Sequence, residues 1–136
     1  MKKRIILAGV SLILSWPGIA HADISYTTPV LVVQPLAMDF GVLRMGESAT
    51  NSFLVENPGK GILVGTATVA PPFKILSGGR YKLESNSALV VTIVYTQDAA
   101  RTNTQTVTFT GPTSRARATV TGRLSTKRWP YYLKRK

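Results

Sequence analysis

Cysteine is absent from this 136-residue chain, histidine occurs once, at His21, and acids are scarce, with six Asp and Glu against 17 Lys and Arg. Each shortage removes a class of chemistry. Without cysteine there is no disulfide, no thiol nucleophile and no thiolate for a soft metal. The acids are Asp23, Asp39, Glu47, Glu56, Glu84 and Asp98. They are scattered, with no D-x-D-x-D calcium loop. A carboxylate pair could still meet in space, but nothing in the sequence points to one. Helical periodicity is also missing beyond the N-terminus. These absences imply a non-enzymatic protein with no catalytic residue, no metal and no cofactor.

What is present begins with an N-terminal segment of recognisable design. Lys2, Lys3 and Arg4 form a positive n-region, and Ile5 to Trp16 is an apolar run. Pro17 and Gly18 break any helix, and Ala20-His21-Ala22 is an A-x-A cleavage site. Together these read as a secretory signal peptide over residues 1–22, cleaved after Ala22. The apolar run is short for a membrane span of about 20 residues. His21 leaves with it, so the mature chain has no imidazole base. The formal charge falls from +11 to +8, because the three n-region cations are lost and no acid is. A fold of about 114 residues without disulfides must hold by its core, and a domain of that size buries well over half its unfolded surface.

The mature chain reads as strands. Residues 28–33, 37–40, 49–56, 62–70, 73–76, 81–84, 88–96, 105–110 and 115–124 are the candidate runs. The clearest places Leu89, Val91, Ile93 and Tyr95 on one face. In the last, Ala116, Ala118 and Val120 point inward, while Arg115, Arg117, Thr119 and Thr121 point outward. Short alternating strands punctuated by Gly, Pro and Asn predict an all-β antiparallel sandwich of about seven to nine strands over residues 23–124. The expected core is Phe53, Val55, Val69, Phe73, Ile75, Val91, Ile93, Tyr95, Val107, Phe109 and Val120.

Asp39-Phe40-Gly41 matches a protein-kinase signature in which the Asp holds magnesium. The chain is too short for a kinase domain and has neither a phosphate-binding Gly-rich loop nor a His-Arg-Asp loop. The expectation is structural instead. Phe40 points inward, Gly41 ends the run, and Asp39 bonds nearby backbone N–H groups.

The order of these signals resembles the Hydin-like, or ASH, immunoglobulin-like domain family found in bacterial choice-of-anchor D surface proteins. The resemblance spans residues 35–122. It starts at Asp39-Phe40-Gly41 and continues through Phe53, Val55, Asn57, Gly59, Gly61 and Leu63. Pro72-Phe73 with Ile75, the Gly78-Gly79 turn, the run Leu89 to Tyr95, and Val107, Phe109 and Gly111 complete it. The loop after the aromatic, "TQDAARTNTQ", departs from the family in having neither Pro nor Gly. The resemblance implies an immunoglobulin-like sandwich with a non-catalytic role in binding or architecture. Pilus-chaperone domains are distant relatives in fold. From the residues themselves, Asn57 and Gly59 are expected to make a tight turn, with Gly59 tolerating positive φ.

Beyond the last strand, residues 125–136 form a basic, aromatic tail. Lys127, Arg128, Trp129, Tyr131, Tyr132, Lys134, Arg135 and Lys136 are the candidate partner-binding residues. Interleaved bases and rings suit an acidic groove on another protein, an anionic membrane surface or nucleic acid. Export argues against nucleic acid. A tail that is only solvated is the bland alternative, and three aromatics in so short a tail argue against it.

The sequence thus points to an exported protein, periplasmic or at the cell surface, that serves as a structural or protein-binding subunit of a cell-envelope assembly. It would meet other envelope proteins through the tail and sheet edges. The alternative is a single-domain periplasmic chaperone or carrier that binds a client strand along an open edge. Neither reading calls for a small-molecule substrate. N-terminal sequencing of protein recovered from the envelope is expected to start at Asp23. A cytoplasmic protein that still starts at Met1 would overturn export and reopen nucleic acid as a partner.

Overall fold

The computed structural model describes residues 10–15, 19–24 and 27–127, the first two segments by their backbone. Strands β1 (Val10–Ser15) and β2 (Ile19–Ile24) pair antiparallel as a sheet of their own. The part of the apolar run from Val10 to Ser15 is therefore extended rather than helical. The remaining nine strands form a sandwich. They are β3 (Val32–Gln34), β4 (Ala37–Leu43), β5 (Ser48–Asn57), β6 (Leu63–Thr68), β7 (Phe73–Ser77), β8 (Arg80–Leu83), β9 (Ser87–Thr96), β10 (Asn103–Thr110) and β11 (Arg115–Leu124). One sheet has the order β4-β11-β10-β6-β8 and the other β3-β5-β9-β7.

Alternation places the core as expected. Phe53, Val55, Val91, Ile93, Tyr95, Val107, Phe109 and Val120 are fully buried, and Phe73 nearly so. Val69 and Ile75 pack against this core from its margin. Leu63, Tyr81, Leu83, Met38 and Val33 join it as well. Phe40 packs edge-on against Phe73, with ring centroids 5.4 Å apart, and Phe73 stacks on Tyr95 at 4.6 Å. The middle residue of the kinase-like triplet is thus a core aromatic.

Four expectations need correction. The sandwich is not wholly antiparallel, because β4 runs parallel to β11. Proline lacks the N–H needed to continue a ladder, and at Pro35 the chain leaves the β3 sheet and enters the β4 sheet. Gly41 does not end its strand. With φ at 84° it forms a bulge, so that Phe40 and Gly41 together face Gly122, and β4 continues to Leu43. A bulge of this kind uses the freedom of glycine at positive φ.

The third correction is at the first run, where residues 28–31 are irregular. The Val30 N–H donates to Asn57 Oδ1 at 3.0 Å instead of to a neighbouring strand. The fourth is the turn itself. Gly61, not Gly59, has the positive φ. Gly59 is needed for close approach, since a Cβ there would lie 2.1 Å from the Thr28 carbonyl oxygen.

Asn57 does more than bond its own turn. It is fully buried. Its Oδ1 also accepts the Gly59 N–H at 3.2 Å, and its Nδ2 donates to the carbonyls of Gly61, Leu83 and Glu84 at 3.0–3.2 Å. At the opposite end of β9, Tyr95 Oη donates to Gln97 Oε1, and Asn103 Nδ2 donates to Tyr95 Oη at 3.0 Å. Gln97 Nε2 donates to the carbonyls of Ala99 and Arg101. The loop that lacks Pro and Gly is held from inside by a glutamine.

Phe109→Ala is expected to cost about 3–5 kcal/mol, the usual range for emptying a buried Phe site. Thr108→Ala, one residue away and pointing outward, should cost under about 1 kcal/mol. Equal effects in urea melts would put the register of β10 in error.

Candidate interaction surfaces

Asp39 has a structural role. Its Oδ1 accepts the Gly41 N–H at 2.7 Å and so braces the bulge. Its Oδ2 lies 2.6 Å from Arg123 Nη2, an ion pair with both side chains about half exposed. Sequence reasoning foresaw the backbone contact but not Arg123, which is 84 residues away. Only the parallel β4–β11 pairing brings the two together. Among the described residues, no three acids or histidines gather in a way that could hold a metal.

Of the predicted tail residues, Lys127 is described and exposed. Arg128, Trp129, Tyr131, Tyr132, Lys134, Arg135 and Lys136 lie outside the described residues. The root of the tail is fixed where the Ser125 N–H donates to the Leu43 carbonyl at 2.7 Å. Beside that root, Val42 and Met45 are each 55% exposed, an apolar neighbour for whatever contacts the tail.

The two outer faces of the sandwich differ in charge. On the five-stranded sheet, Arg115, Arg117 and Arg123 project from β11, and Arg80 and Lys82 from β8. Among the described residues, Asp39 is the one acid within the strands of that face. Between the cations lie threonines: Thr119 and Thr121 on β11, Thr104, Thr106, Thr108 and Thr110 on β10, and Thr66 and Thr68 on β6. The outer face of the four-stranded sheet has one cation, Lys74, and one acid, Glu56, around Leu54 and Val90. Sequence reading had noted Arg115 and Arg117 as outward but did not join them to Arg80 and Lys82. That joining depends on β6 lying between β10 and β8.

Strand β6 is held at this junction by side chains. The Thr66 N–H donates to Thr110 Oγ1 at 3.1 Å, and Tyr81 Oη donates to the Thr110 carbonyl at 2.5 Å. Burial pushes the Tyr81 hydroxyl above the usual phenol range, against a smaller opposing effect of its bond to Thr110. The other sheet ends in edge strand β7, beside a groove lined by Val69, Pro71, Pro72, Phe73, Ile75 and Val94.

No family model matches the chain, and no curated protein matches it in sequence. Solved structures match in fold. One is the ASH/PapD-like domain of human CEP192, at 14% identity and a TM-score of 0.58, covering 72% of this chain and 87% of that one. The fold is an ASH/PapD-like immunoglobulin sandwich. A chain of the CsuC–CsuE chaperone–tip adhesion subunit pre-assembly complex of Acinetobacter baumannii matches at 7% identity and a TM-score of 0.56, covering 71% of this chain and 57% of that one. A family 123 glycoside hydrolase of Clostridium perfringens matches at 8% identity and a TM-score of 0.60, over 72% of this chain but only 27% of the hydrolase. At such identities the likeness extends to the fold alone.

Asp39→Ala and Arg123→Ala should each lower stability by less than about 1 kcal/mol, the usual limit for an exposed ion pair. Their coupling in a double-mutant cycle should shrink as salt is added. A rise in the melting temperature with added magnesium would restore a metal role to Asp39.

Proposed function

We propose that this protein is an exported, non-catalytic binding subunit of a cell-envelope assembly, held to a protein partner through its basic, aromatic tail. The observation that carries this is the course of β11. The strand presents Arg123 outward near its end, is anchored at Ser125, and leads through exposed Lys127 into the tail. The tail therefore starts from a fixed base beside exposed Val42 and Met45. Its rings would supply the buried anchors that dominate protein interfaces, and its charges would steer the encounter.

A second reading keeps the chaperone or carrier. It is supported by edge strand β7 with its apolar groove, and by the likeness in fold to a chain of a chaperone–subunit complex. An extended client adding to that edge would gain backbone hydrogen bonds from β7 and side-chain contacts from the groove.

Affinity capture from envelope fractions separates the two. A fixed stoichiometric complex is expected for a subunit, and many unfolded clients for a chaperone. A chain ending at Lys127 should melt almost as the full chain does but lose its partner. Replacing Lys134, Arg135 and Lys136 with Gln should weaken binding mainly at low salt. Replacing Trp129, Tyr131 and Tyr132 with Ala should weaken it at every salt concentration. If the truncated chain keeps the partner at full occupancy, the tail reading fails. If Val94→Lys in the β7 groove then removes the bound proteins, the chaperone reading takes its place.

A further inference from the structure

We infer that the outer face of the five-stranded sheet binds an anionic polysaccharide, a polymer of uronic-acid type, as a second ligand distinct from the protein partner proposed for the tail. Arg115, Thr110, Thr66 and Arg80 form one line across the sheet. Arg115 pairs with Thr110, the Thr110 and Thr66 hydroxyls are 3.1 Å apart, and Thr66 pairs with Arg80. At about 4.8 Å per strand this line spans roughly 14 Å. A second cation, Arg117, sits two residues along β11 from Arg115, about 7 Å away. Among the described residues, Arg80, Lys82, Arg115 and Arg117 have no acid partner. Apart from the Asp39–Arg123 pair on the β4 side, the face is therefore cationic and uncompensated, with Arg115 and Arg80 set apart by the Thr110 and Thr66 hydroxyls.

The chemistry of the spacers selects the ligand. A protein interface has an apolar or aromatic centre, and the centre of this face is threonine. Single-stranded nucleic acid stacks on exposed rings, and among the described residues no aromatic side chain points outward from this sheet. A lipid surface calls for protruding apolar or aromatic groups, and the exposed valines of this face, Val64 beside Lys82 and Val42 beside Arg123, stand apart toward its two edges. A polymer with carboxylates and many hydroxyls matches both features. Guanidinium groups clamp carboxylates in bidentate fashion, and threonine hydroxyls both donate to and accept from sugar hydroxyls. A β-sheet fixes the backbone from which these groups project, so that binding has only the side chains left to order.

The test uses alginate as the polyuronate, neutral dextran and polyglutamate as controls, and vesicles of equimolar phosphatidylglycerol and phosphatidylcholine. The full chain should bind alginate, more weakly as salt rises, and should ignore dextran. The triple variant R80Q/R115Q/R117Q should lose on the order of tenfold in affinity, the sum of three exposed charge contacts. The pair T106V/T119V, which face each other across β10 and β11, should weaken alginate binding about threefold with the salt dependence unchanged, the loss of neutral hydrogen bonds. Circular-dichroism melts should show both variants folded. A chain ending at Lys127 should keep most of the affinity, and the triple variant should keep the protein partner captured through the tail. The inference falls if the triple variant binds alginate as the parent does, or if truncation alone abolishes binding. It also falls if polyglutamate or the vesicles bind at least as tightly as alginate, or if the threonine pair has no effect, since charge alone would then explain the contact.

Discussion

The sandwich depends on three buried amides, Asn57, Gln97 and Asn103, that do the work of a missing covalent bridge. A small sandwich domain can tie its sheets together with a disulfide, but this chain has no cysteine. Asn57, at the end of β5 in one sheet, reaches the carbonyls of Leu83 and Glu84 at the end of β8 in the other. At the far end Tyr95 of β9 meets Asn103 of β10, with Gln97 tying down the loop between them. None of these buried side chains leaves a polar atom without a hydrogen bond. That matters because a buried amide with a lost partner costs about 1–3 kcal/mol. The aromatic cluster of Phe40, Phe73 and Tyr95 lies against the Gln97 end and keeps water from those bonds.

This arrangement leaves both outer faces free for other purposes. One is nearly neutral and presents Leu54 and Val90 among threonines. The other gathers cations from β8 and β11, which are far apart in sequence but separated by only β6 and β10 in the sheet. The net positive charge of the chain is thus not spread evenly. A one-sided charge on a rigid sheet orients the molecule toward an anionic surface before contact.

Much of the fold was legible in the sequence because alternation is a local signal. The inward set Val91, Ile93 and Tyr95, and the partition of β11 into Ala118 and Val120 against Arg115 and Arg117, needed only period two. The readings that missed all turn on contacts between distant segments. Thr28 to Leu31 has the composition of a strand, but the side chain of Asn57 takes the Val30 N–H. Gly41 resembles a strand end and is a bulge, because Gly122 lies opposite. Gly59 carries no positive φ, and its need for a missing side chain comes from Thr28. The partnership of Asp39 with Arg123, and the cationic face itself, follow from the β4–β11 and β6–β8 pairings. Single-residue patterns do not encode those pairings. The tail was legible only as composition, since residues 128–136 lie outside the described structure.

The parallel pairing of β4 with β11 also sets an order of events. It joins Ala37–Leu43 to the last strand of the sandwich across some 80 residues of chain. Closing so long a loop loses entropy before any contact offsets it, and folds rich in such pairings form in milliseconds to seconds. During synthesis β4 would emerge long before its partner and would wait with its hydrogen-bonding edge open. The five-stranded sheet cannot close until Leu124 is available. A chain shortened by a few residues before that point would lose the pairing of β11 with Asp39, Val42 and Leu43, whereas one shortened just after it would keep every strand of the sandwich.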